Sequence, residues 1–156
     1  MDSKSYVINL KPIPWRRARL NGKYFFDSQS ADRLAFGLHI AQQARGDQLW
    51  TGPVLMDITF YMPIPKLYKD RPPTIYHHQR ADLDNLCKFA LDAITDTQVI
   101  WKEDSIVSIL RAQKLYDPNP RTEFTITQLP KMYTKDLPTF GHHDRLCLYC
   151  YRHCNC

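Results

Sequence analysis

The chain predicts an α/β (α+β) domain: a small, mixed, largely antiparallel sheet carrying two main helices. Three observations predict it. Residues 30–44 and 83–95 repeat apolar side chains at helical spacing, four short segments have strand character, and turn signals separate those segments. With 156 residues, 44% hydrophobic and 12% aromatic, the chain can bury one core and is not disordered as a whole. Residues 1–130 are expected to form the domain, and 131–156 a loosely ordered Cys/His-containing tail.

Taken in order, Tyr6 to Leu10 is a short strand, and Pro12 and Pro14 place it at a sheet edge or beside a loop. Asn21-Gly22, between segments of strand propensity, is a hairpin turn signal. A helix follows over 30–44, capped by Ser28 or Ser30, with Leu34, Leu38 and Ala41 as its inner stripe and Ala35 and Ile40 beside it. Gly46 ends it. Val54 to Met62 reads as a buried strand. Pro63, Pro65, Pro72 and Pro73 mark a long basic loop over 63–76, a length usually tied to function or motion. Leu86, Phe89, Ala90, Ala93 and Ile94 share one stripe of a helix over 83–95. Ile106 to Leu115 and Thr122 to Leu129 read as strands. Asp117-Pro118-Asn119-Pro120 between them predicts an antiparallel hairpin.

The net charge of +5 is unevenly spread. Residues 1–80 hold twelve Lys/Arg against six Asp/Glu, whereas residues 81–116 hold four against six. A basic surface attracts polyanions. An acidic patch set within it would repel phosphate unless a divalent cation sits on it. There is no apolar run of membrane-spanning length and no signal-peptide core in MDSKSYVINLKP, so a cytoplasmic protein is the default.

The acids concentrate where the second helix begins. Asp82 and Asp84 stand two residues apart, and Asp104 lies just before the next strand. The helix dipole favours acids at this end. Residues i and i+2 of one helix diverge by about 200°. Asp82 and Asp84 therefore converge only if Asp82 lies outside the helix. On spacing alone they read first as an N-cap and a solvated first-turn acid. The order helix, short loop, strand could return Asp104 to them. Three carboxylates in one concavity need a cation, and hard oxygen donors suit Mg2+ or Mn2+. Such a site is a phosphodiesterase candidate. Lys88, at i+4 from Asp84, could stabilise charge on the reacting phosphate or form a plain surface ion pair.

DLDNLCKFALDAI followed by VIWKEDSIV resembles the RusA-like family of Holliday-junction resolvases, common in bacteriophages and prophages. That family shows a D-x-D-N-x-x-K run opening a helix, then a W-K-D-D-S-like turn. Asp82, Asp84, Asn85 and Lys88 match the first motif, and Asp104 with Ser105 the second. PIPWRRARLNGKYFFD resembles the family's basic N-terminal segment. The resemblance spans about Tyr6 to Leu129. It implies a RusA-like homodimeric fold and a Mg2+-dependent endonuclease that cuts four-way DNA junctions in recombination and repair, in a bacterial or phage-infected cell. It maps the essential acids onto Asp82, Asp84 and Asp104, and the catalytic lysine onto Lys88. Two positions depart: Glu103 replaces the first Asp of the family's pair, and Ala81 stands where Pro is usual.

Arg16, Arg17 and Arg19 are the main candidates for the DNA backbone, followed by Lys23, Lys66, Lys69, Arg71 and Arg80. Trp15 and Tyr76 read as base-stacking or packing groups. His77 and His78 read as contacts to phosphate or to a metal-bound water, or as ordinary loop polarity. In the tail, Cys147-x-x-Cys150 is a usable Zn2+ chelate, but Cys154-x-Cys156 follows too soon for a standard finger. Two rival readings follow: a structure-selective DNA-binding protein without catalysis, and a zinc-tail module that binds another protein.

Overall fold

The computed structural model describes residues 2–17, 28–68 and 71–130, together with the backbone of 19–21 and 24–26. The elements are β1 (Ser3–Ile8), β2 (Arg19–Asn21), β3 (Tyr24–Phe26), α1 (Ser30–Gln43), β4 (Val54–Pro63), α2 (Leu83–Thr97), β5 (Val107–Asp117) and β6 (Arg121–Gln128). β1, β6, β4 and β5 form one sheet in that order, and β2 and β3 pair antiparallel with Asn21 opposite Tyr24. β1 and β4 both pair antiparallel with β6, while β4 and β5 run parallel. The expected mixed, largely antiparallel sheet with two helices is therefore the fold. β1 is an edge strand, as its following prolines predicted.

Strand alternation sets the layers. Val54, Met56, Ile58, Phe60 and Met62 of β4 are buried and share one cluster with Tyr6, Ile8, Phe124 and Ile126. Both helices contribute to that cluster, so they cover one face of the sheet. The opposite face is polar: Ser5 pairs with Thr125 at 2.8 Å, Gln113 donates to Thr59 at 3.0 Å, and Arg121 lies 3.7 Å from the Tyr61 ring. The stripe predicted for α2 is buried throughout. On that layer α1 meets α2 through Phe36 edge-on to Phe89, and at Gly37, where an added Cβ would lie 2.8 Å from Thr97 Cγ2.

Three expectations are corrected. β5 and β6 do not pair with each other: β4 lies between them, and the short 118–120 connector crosses its end. An Asx turn, with the Asn119 amide on Asp117 Oδ1 at 2.8 Å, and Arg121 on the Asn119 carbonyl at 3.0 Å shape that crossing. The inner stripe of α1 is Phe36, Gly37 and Ile40, leaving Leu34 and Leu38 66% and 56% exposed. Both stripes have helical spacing; the one bearing the small glycine and the large ring fits α2. The N-cap of α1 is Gln29, with no side-chain cap bond. Its amide is used elsewhere, as described below.

Candidate functional site

α2 starts where the backbone leaves an extended conformation. Asp82 is the N-cap, at φ −66° and ψ 141°, and its carbonyl accepts the Leu86 amide at 3.1 Å. Its carboxylate makes no capping hydrogen bond, so it is not consumed in holding the helix end. Asp84 lies in the first turn. Asp104 opens a single 3-10 turn over Asp104–Ile106, immediately before β5.

Asp84, Lys88, Asp92 and Asp104 line one groove of about 550 Å3 between α2 and β5. Leu83, Cys87, Leu91, Leu110 and Ala112 complete its wall. The groove exists because the helix layer stops short of the β5 edge: Leu110, in register with buried Met56, is still 41% exposed. Asp82 is exposed at the adjoining cap and is not part of this lining. Burial, reinforced by the negative charge of Asp84, pushes the Cys87 thiol up to about 11, so Cys87 is a small apolar wall group and not a thiolate nucleophile.

Lys88 is the positive group of the groove. Its ammonium is 3.3 Å from Asp92 and 5.0 Å from the centre of the Trp15 ring. The ion pair thus runs to Asp92 at i+4, and Asp92 is a groove carboxylate that sequence reasoning missed. Trp15 is a packing group, half-buried against the core and beneath Lys88.

The Trp15 amide donates to the Asn85 carbonyl at 2.8 Å, which pins the basic N-terminal segment to the first turn of α2. Gln29 fastens the same segment to α1: its side-chain oxygen accepts the Arg16 amide at 2.6 Å and its nitrogen donates to the Pro14 carbonyl at 2.9 Å. Arg16 and Arg17 are both exposed, so this buckle presents two cations near the start of α2. Arg80, Lys66 and Arg71 are exposed on the loop that precedes α2. The Arg19 side chain, Lys23, Lys69 and the whole 131–156 tail lie outside the described residues.

The same loop is tied to β5. The Tyr116 amide donates to the Ile75 carbonyl at 2.8 Å, and the His77 amide to the Lys114 carbonyl at 3.0 Å. His77 is a buried group and not loop surface. It is 8% exposed, and its ring packs 4.7 Å from that of Tyr116. Burial lowers its pKa, with Lys114 and then His78 adding to the effect. Ala81, the last residue before Asp82, has φ +87°. No proline can take that angle, so alanine in place of the family's usual proline has a structural consequence here. A left-handed alanine costs about 1–2 kcal/mol. The Lys114 ammonium donates to the Ala81 and Gln79 carbonyls at 2.7 and 3.0 Å. Hydrogen bonds from a charged donor contribute about 1.5–3 kcal/mol, enough to offset that cost.

Asp104 is held from behind. Ile100 and Trp101 are buried, the indole donates to Thr95 Oγ1 at 2.9 Å, and the Trp50 amide donates to the Ile100 carbonyl at 2.8 Å. Gln98 turns the chain out of α2 at φ +54°, and its side chain donates to the Thr95 and Lys102 carbonyls.

Among the described residues, no three His, Cys, Asp or Glu side chains gather closely enough to hold a metal ion by themselves. Asp84 and Asp104 in one groove still fit Mg2+, which is commonly held by one or two carboxylates, with waters and phosphate oxygens completing its shell. Among the described residues no helix is long and apolar enough to cross a membrane.

The family model of Endodeoxyribonuclease RusA matches residues 10–127. The uncharacterized protein YqaN of Bacillus subtilis (strain 168) is 29% identical over 147 residues, covering 83% of this chain and 99% of its own. The matched span holds the buckled basic segment, the carboxylates at the start of α2, Lys88 and the Asp104 turn, and on that match the chain belongs to the RusA endodeoxyribonuclease family.

Proposed function

We propose that the protein is a homodimeric, divalent-metal-dependent endonuclease that resolves four-way DNA junctions in recombination and repair. The observation that carries this reading is the shared groove of Asp84, Lys88 and Asp104, beside the exposed Arg16 and Arg17. Asp84 and Asp104, with Asp82 at the adjoining cap, would hold Mg2+ or Mn2+. The chemistry such an ion supplies is activation of a water and neutralisation of phosphate charge. Lys88 leaves Asp92 to meet the negative charge on the phosphate or its leaving oxygen. Arg16, Arg17, Arg19 and Lys23 grip one stretch of backbone, and Lys66, Lys69, Arg71 and Arg80 another. Such contacts give affinity with little sequence preference, so selectivity comes from the shape of a branched substrate. Two copies of the groove on one junction allow paired nicks.

A nicking assay on a mobile four-way junction beside linear duplex, with and without Mg2+, tests the reading. Junction-selective, Mg2+-dependent nicks are expected, and D84N or D104N abolishes them while junction binding persists. Binding without nicking in either Mg2+ or Mn2+ would replace this reading with a non-catalytic junction binder. Vigorous cutting by D84N would remove the site assignment. Sedimentation equilibrium checks the dimer.

A further inference from the structure

We propose that Lys114 is a positioning residue of this site, holding the 79–81 turn in the left-handed kink that leads into Asp82, the N-cap of α2. The inference rests on the nuclease reading above and concerns how its outermost carboxylate is oriented.

The argument begins with strand register. Leu110, Ala112, Lys114 and Tyr116 lie opposite Met56, Ile58, Phe60 and Met62, so all four belong to the helix-covered side of the sheet. A lysine in that series must find acceptors, because a half-buried ammonium without them is costly. Among the described residues it has no carboxylate partner. It uses two main-chain carbonyls, Gln79 at 3.0 Å and Ala81 at 2.7 Å. Those carbonyls belong to the turn that leads directly into the N-cap of α2.

That turn carries backbone strain. Ala81 and Gln98 are the described non-glycine residues with positive φ, and Ala81, at +87°, is the further from the usual left-handed well. Such a conformation persists only where its surroundings over-determine it. Here β5 supplies the constraint twice. Its main chain straps the preceding loop through the bonds to Ile75 and His77 and the Tyr76–Leu115 bridge, and the Lys114 side chain closes the turn. A change in φ at Ala81 would redirect the chain at the next residue, Asp82. Lys114 touches no reacting group in this arrangement and acts through the main chain alone.

The test uses the full-length chain and a synthetic four-way junction. For K114M, nicking turnover should fall about tenfold and the Mg2+ concentration for half-maximal rate should rise, with junction affinity within about twofold of wild type. Without DNA, Mn2+ binding should weaken, and amide exchange at Ala81 and Asp82 should quicken. Adding A81G to K114M should restore most of the turnover, because glycine takes positive φ without steric cost. A81V, with Lys114 intact, should reproduce the loss, since a β-branched residue resists that angle. The proposal is overturned if K114M nicks like wild type or loses junction binding in step with nicking, if A81G does not rescue, or if folded A81V retains full turnover. Should wild type itself not nick, the nuclease reading fails, and unchanged amide exchange in K114M would separately remove the clamp.

Discussion

Trp101→Phe tests how Asp104 is held in the groove. Trp101 is fully buried three residues before Asp104, and its indole donates to Thr95 Oγ1 at 2.9 Å. At ~25 cal/mol per Å2 of apolar surface, the smaller ring forfeits about 1 kcal/mol of burial. The lost hydrogen bond adds about 0.5–1.5 kcal/mol. Thr95 is only half-buried and can turn its hydroxyl to water, so the total should fall at about 1.5–2.5 kcal/mol. Urea unfolding should show this as a lower midpoint with an unchanged slope. Pairing W101F with T95V isolates the hydrogen bond, whose coupling should be about 0.5–1.5 kcal/mol. Loss of this anchor loosens the 98–103 segment. Nicking should therefore fall under conditions where the variant remains folded, while junction binding is kept. A W101F protein within about 0.5 kcal/mol of wild type would refute the reasoning.

Asp92→Asn removes the ion partner of Lys88. An exposed i, i+4 pair contributes about 0.3–0.5 kcal/mol after solvent screening, so stability should barely change and junction affinity, measured by gel shift in a D84N background, should rise about twofold. A tenfold loss of affinity would contradict the resting-pair reading. Gly37→Ala should destabilise by about 1–3 kcal/mol despite alanine's better helix propensity, because its Cβ would meet Thr97 Cγ2; T97S should recover part of that loss, as read by thermal melts. His77 has a folded pKa below its unfolded value, so the stability held by its neutral form is present above about pH 6.5 and lost as pH falls toward the folded pKa. Melting temperature measured from about pH 7 to 5 should fall more in wild type than in H77F; parallel curves would exclude His77 as a source of acid sensitivity.

The elements that were legible had patterns no neighbour could alter. The α2 stripe from Leu86 to Ile94 is dense enough to admit one buried face, and the alternation of β4 admits one inner set. Pairing was another matter. A three-residue, proline-rich connector after β5 signals adjacency by every local rule, yet β4 takes the place between its two strands. That outcome depends on α2 as a crossover joining β4 to a parallel β5, a long-range arrangement that the 117–120 stretch does not encode. The helix α1 lies where its spacing predicts, but its inner face was misread for a related reason. Two stripes of helical period were present, and the choice between them was made by Thr97 and Phe89 of α2.

At the site, the residue types were legible and their connections were not. Lys88 has an aspartate four residues away on each side, Asp84 and Asp92. Helical Cα–Cβ bonds tilt toward the N-terminus. Lys88 itself therefore leans toward Asp84, the generally favoured acid-before-base order, yet the ion pair forms with Asp92. The pairing removes Lys88 from Asp84 and leaves that carboxylate to the groove it shares with Asp104. Lys114 was invisible for the opposite reason: nothing near it in the sequence is its partner. Only the β4–β5 register turns it inward, and only the strapped loop brings the Gln79 and Ala81 carbonyls to it. A lysine at an inward strand position is a sequence signal once the face of the strand is known. Here Leu110 and Ala112, four and two residues earlier, would have marked that face.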